Sequence, residues 1–153
     1  MKKANALYEK ALEFAAEDIP DYERASKLLE EAADYGSGDA LYAIGNWYFH
    51  GRHYPQNVSL AIDYWKKSAL KSNLDAIHEL AKIYECGVYL EKDLARSFYY
   101  YMQMALLNDG QGCFEVCRFF YHGIFVPKDI EIANLWRDKS GELGFEERDS
   151  DIL

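Results

Sequence analysis

The stretch Ala40-Leu41-Tyr42-Ala43-Ile44-Gly45-Asn46-Trp47-Tyr48-Phe49-His50-Gly51 decides the fold, because its pattern returns at a fixed step of 36 residues. Ala76 to Gly87 and Gly112 to Gly123 repeat it: a small residue to begin, an aromatic at the ninth position (Tyr48, Tyr84, Phe120) and glycine to close (Gly51, Gly87, Gly123). A fixed period in this range marks a repeat architecture, in which each unit is one supersecondary element. Stepping back by the same interval lands on Ala4, so the repeats are 4–39, 40–75, 76–111 and 112–147.

Each unit reads as two helices. The closing glycines suit the left-handed residue that ends a helix. Asp21, Asn57, Asp93 and Asp129 recur downstream, and these side chains can accept a hydrogen bond from an orphaned N–H at the start of a second helix. Pro20, Pro55 and Pro127 keep the connecting chain out of the helical region. The hairpins are therefore predicted near 4–36, 40–72, 76–108 and 112–141.

Four registers carry the packing: Ala4, Ala40, Ala76 and Gly112; Glu9, Gly45, Ala81 and Cys117; Ala25, Ala61, Ser97 and Ala133; Ala33, Ala69, Ala105 and Gly141. Fifteen of these sixteen residues are Gly, Ala, Ser or Cys, which lets helices approach closely. Bulky residues stand between them: Leu28-Leu29, Tyr64-Trp65, Tyr100-Tyr101 and Trp136. Unit one departs from the pattern at Glu9 and Ala15, as a terminal capping repeat would. From Glu142 to Leu153 the chain is acid-rich, and 142–153 is predicted to be a frayed tail. The fold class is all-α: a right-handed α-solenoid, or α-α superhelix, of four 36-residue helix-turn-helix repeats forming a single domain over 1–153.

The run Ala40 to Gly45 with Tyr48, Gly51, Asn57, Ala61, Tyr64-Trp65 and Ala69 resembles the Sel-1-like repeat, a relative of the tetratricopeptide repeat. Units three and four resemble it through Gly87, Asp93, Tyr100-Tyr101 and Ala105, and through Gly123, Asp129, Ala133 and Trp136; unit one does so weakly, through Ala25, Ala32-Ala33 and Gly36. The resemblance implies an adaptor that binds a protein, and it supplies no catalytic residue.

Charge narrows the partners. With 26 acidic and 17 basic side chains the net charge is −9, which repels nucleic-acid phosphates and anionic lipid and favours a basic protein. The acidity concentrates at the N-terminal end, where residues 4–39 hold ten acids against three bases. Glu9 and Lys10 interrupt what would be the apolar core of a secretion signal, and no run approaches a membrane span. Three cysteines without framework spacing fit reduced thiols. The expected setting is the cytoplasm, as a monomer or weak homodimer.

No nucleophile–base pattern, phosphate loop or isolated carboxylate pair is present, so no enzyme and no cofactor are expected. His50, Cys86 and His122 share one offset in successive units. Packed helices lie about 8–10 Å apart, whereas ligands of one zinc lie within about 2.3 Å of it, so no metal is expected. Two surfaces remain as partner sites. An inner groove would present Trp47 and His50, then Glu79 and Lys82, then Glu115 and Arg118. An outer face carries Tyr99 and Met102, where the equivalent positions of units one and two are charged. The expected function is a protein-interaction scaffold using either face. The alternative is an acidic immunity-type inhibitor that neutralises a basic toxin or nuclease.

Overall fold

The computed structural model describes residues 2–146, and these form eight helices with no strand among them. They are α1 (Lys2–Ala15), α2 (Tyr22–Asp34), α3 (Gly38–His50), α4 (Val58–Ala69), α5 (Leu74–Cys86), α6 (Leu94–Leu106), α7 (Gly110–His122) and α8 (Ile130–Glu142). Contacts gather them into two compact units, one up to Ala76 and one from Ile77 onward, with the division falling near the start of α5.

The second helix of every hairpin begins as its sequence dictates. The side-chain oxygens of Asp21, Asn57, Asp93 and Asp129 accept from the N–H groups three residues on, at 2.9–3.0 Å. The backbone N–H of Asn57, Asp93 and Asp129 donates back to the carbonyl of Tyr48, Tyr84 and Phe120, which closes each loop onto its first helix. Gly51, Gly87 and Gly123 have φ of 65°, 70° and 70°, in the left-handed region.

The first helices start two residues earlier than the small residues imply. Ser37, Asn73 and Asp109 cap them, accepting from Ala40, Ala76 and Gly112 at 3.1, 2.9 and 2.7 Å. Just before these caps stand the left-handed residues Gly36, Ser72 and Asn108, and Gly144 holds the same offset after α8, all with φ between 60° and 86°. Each donates its N–H three residues back, and the next residue donates five back, satisfying carbonyls left over at the helix end.

In the first unit the core gathers Ala11, Ala25, Leu29, Ala32, Ala40, Ile44 and Trp47. Small against large is resolved at Gly45: a Cβ there would stand 2.6 Å from Trp65 Cδ1, so the indole lies where any side chain would. Trp65 Nε1 also donates to Asn46 Oδ1 at 3.1 Å. In the second unit Tyr101 and Phe119 are fully buried, their rings 5.8 Å apart, and Gly112 clears space for Met104. Leu29, Trp65 and Tyr101, one in each of the first three repeats, are the fully buried members of the predicted bulky pairs.

Two expectations need correction. Gly141 does not mediate close packing, since nothing lies within 4 Å of where its Cβ would be. Nor does the chain fray at Glu142. That residue closes α8, Phe145 N–H donates to Ser140 O at 3.1 Å, and the Phe145 ring meets Phe114 at 5.2 Å. Apolar contact holds this turn despite the surrounding acids. The rest of the predicted tail, 147–153, lies outside the described residues.

Candidate partner-binding surfaces

The inner-groove residues divide sharply by environment. Trp47 does not stand out for recognition: it is only 8% exposed, with Tyr22 edge-on at 5.7 Å, His53 at 5.5 Å and Tyr54 at 6.1 Å. Helix α3 is apolar on most of its circumference, so its sequence offers no period from which the direction of Trp47 could be read. His50 is exposed and sits edge-on to Phe49.

In the second unit the groove charges are taken up by one another. Arg118 donates to both oxygens of Glu85, at 2.8 and 2.9 Å, and through Nε to Glu115 at 2.8 Å. Tyr101 adds its hydroxyl to Glu85 at 3.0 Å. Burial first, then the nearby carboxylates of Glu115 and Glu85, push the Tyr101 phenol well above its ordinary pKa, so it stays a donor. The side chains of Arg118, Glu85 and Glu115 are 21, 23 and 16% exposed, which makes this a half-buried network. The guanidinium is held in place by these bonds, with Nη2 shared between both Glu85 oxygens and Nε on Glu115. Lys82, exposed, lies 3.9 Å from the half-buried Glu79. Glu85 is what sequence reasoning missed here, because its contact with Arg118, 33 residues on, joins two repeats and leaves no mark in either alone.

The outer face of α6 is different. Tyr99 is 56% exposed and Leu106 68% exposed, one full heptad apart, with the half-buried Met102 between them. Residues at these spacings share a helix face. Tyr99 does not swing freely: its hydroxyl accepts from Gln103 Nε2 at 2.8 Å, and its ring stands edge-on to Tyr100 at 5.4 Å. Tyr100 in turn stacks on Tyr84 at 6.0 Å. The stripe is thus apolar, exposed at Tyr99 and Leu106, and held at Tyr99.

Cys113 and Cys117 are buried, and burial pushes the Cys113 thiol above its ordinary pKa; Cys86 is exposed. No helix among the described residues is long and apolar enough to cross a membrane.

Comparison with known proteins agrees with the geometry. The Sel1 repeat pattern matches residues 18–37, 38–73, 74–109 and 110–145, frames that begin where α3, α5 and α7 begin. A comparison with curated proteins finds no match. Among solved structures, a Sel1 repeat protein from Oxalobacter formigenes superposes with a TM-score of 0.81 at 19% identity, over 93% of this chain and 59% of that one. The protein c5321, a protective antigen of uropathogenic Escherichia coli displaying an SLR fold, gives a TM-score of 0.81 at 27% identity, over 93% of this chain and 31% of that one. Helicobacter pylori cysteine rich protein B gives 0.59 at 27% identity, over 79% and 92%. The chain therefore spans less than two thirds of the length of the first two. Eight helices in a 36-residue frame, capped and packed at the matched positions, are the repeat itself, and the chain belongs to the Sel1 repeat family.

Proposed function

We propose that this chain is a protein-interaction scaffold, not an enzyme, and that its partner docks on the α6 stripe of Tyr99, Met102 and Leu106. Sel1 repeats generally serve as protein-interaction scaffolds, which supplies the class of function. The observation that carries the choice of face is Tyr99: a large aromatic side chain, more than half exposed, and already immobilised by Gln103 and Tyr100. An aromatic that is ordered before binding loses little entropy on contact, and exposed apolar surface on a monomer marks interaction sites. The inner-groove charges support this choice from the other side, since Arg118 is committed to Glu85 and Glu115.

The partner is a protein with an apolar patch in a basic surround, met in the cytoplasm by a monomer of this chain. The net charge of −9 attracts such a surface at long range, whereas the stripe supplies the close contact. The test is capture of the partner from the native host, followed by titration of the purified pair. Tyr99→Asp should weaken binding by at least about tenfold, the size of an interface hot spot. Unchanged affinity, with the wild-type melting temperature retained, would remove the stripe from consideration.

A second reading is an immunity-type inhibitor of a basic toxin or nuclease. Its support is that nine of the ten acids in residues 4–39 are exposed, so they are available for steering. Under that reading one tight, stoichiometric basic partner is captured, and its association rate falls steeply with salt.

A further inference from the structure

Within the first unit, helices α2 and α4 flank a cleft of about 450 Å³ floored by Leu41 and Ile44 of α3. Glu30 and Asp34 line it from α2, and Lys67 and Lys71 from the α4 side. Opposite charges sharing one cleft would ordinarily pair. Here no ion pair joins these walls among the described residues. Glu30 accepts instead from the Tyr54 hydroxyl at 2.9 Å, and the Lys67 ammonium lies 5.1 Å from the centre of the Tyr64 ring. The cleft thus keeps two carboxylates and two ammonium groups around one open space, above the buried Leu41 and Ile44.

We propose that this cleft binds a segment of a partner protein in which a large apolar side chain is flanked by one basic and one acidic residue. The apolar side chain reaches Leu41 and Ile44, the basic group faces Glu30 and Asp34, and the acidic group faces Lys67 and Lys71. A volume of about 450 Å³ falls within the range of small-ligand pockets and holds one such side chain with its flanks. Charge decides the class of occupant. A segment with two charges of one sign gains at one wall and is repelled at the other, whereas a mixed segment gains at both. An apolar side chain suits the cleft better than a purely polar ion, because Leu70, 85% exposed, lines it beside the buried Leu41 and Ile44. This site lies in the first unit and needs nothing from Tyr99, so it goes beyond the α6 reading and stands or falls separately.

The experiment uses the full chain, labelled for NMR, titrated with blocked pentapeptides. The probes are Gly-Lys-Leu-Glu-Gly, Gly-Lys-Leu-Lys-Gly and Gly-Glu-Leu-Glu-Gly, together with free leucine. The expected result is saturable shifts at Leu41 and Ile44 with the mixed peptide, which binds about fivefold tighter than either single-sign peptide or leucine. Asp34→Lys and Lys67→Glu, both at exposed positions, should each cancel that preference while leaving the circular dichroism unchanged. Equal binding of all three peptides, tighter binding of free leucine, or no saturable shift at the floor would each overturn the proposal. The Tyr99→Asp variant should bind the mixed peptide as the wild type does, which keeps this test apart from that of the α6 stripe.

Discussion

Trp47 has three aromatic neighbours within about 6 Å, and this places it among the residues that hold the first unit together. Its truncation to alanine should cost about 3 kcal/mol, read as a lowered urea midpoint, because a large side chain leaves a cavity that its neighbours fill only in part. At Gly45 the opposite change is instructive. Alanine is the better helix former by about 1 kcal/mol, yet its methyl would meet the Trp65 indole at 2.6 Å. Gly45→Ala should therefore lower the denaturation midpoint, and Gly45→Leu should lower it further, by about 1–3 kcal/mol in total. A raised midpoint for the alanine variant would show that Trp65 can move aside. Arg118→Glu would set a third carboxylate beside Glu85 and Glu115; about 2 kcal/mol of destabilisation is expected, less than for a fully buried pair because about a fifth of each side chain remains wet. The sequence made Gly45 legible, since it recurs in a register of small residues. It hid the burial of Trp47, because α3 is apolar almost all round, and it hid the Glu85–Arg118 contact, because the partners belong to different repeats.

At the scale of the helix, the stops and starts are where the amino-acid types speak most clearly. Asp93 and Asp129 could be assigned as caps from their spacing alone, and each accepts the bond expected of it. Replacing either with alanine should cost about 1 kcal/mol. The register Gly36, Ser72, Asn108 and Gly144 escaped notice because its members share a backbone shape and not a side chain. This makes Ser72 a place to gain stability. Its φ of 60° is one that a Cβ disfavours. Ser72→Gly should therefore raise the thermal midpoint, by roughly 0.5–1 kcal/mol in stability, whereas Asn108→Gly should gain less because asparagine tolerates this region better. An equal or lower midpoint for Ser72→Gly would mean that the serine side chain is compensating in another way.

For the molecule as a whole, the repeat fold follows from the 36-residue step, and that step was readable because small and large residues must alternate at fixed places for helices to pack. The proposed face was legible only as one of two candidates. A sequence marks which helices carry unusual residues, but exposure depends on what each side chain meets across the fold, and Tyr99 and Leu106 are the large apolar side chains left exposed on α6. The charge of −9 adds a long-range term: association with a basic partner should slow several-fold between about 50 and 200 mM salt, with dissociation nearly unchanged. The central claim is that the partner covers the α6 stripe, and hydroxyl-radical footprinting reads it directly, since Tyr99 and Met102 are both oxidisable side chains. In the complex, labelling of Tyr99 and Met102 should fall strongly while that of exposed Tyr35 stays as in the free chain. Undiminished labelling at Tyr99 and Met102, with protection appearing at His50 or Lys82 instead, would contradict the account and return the site to the inner groove.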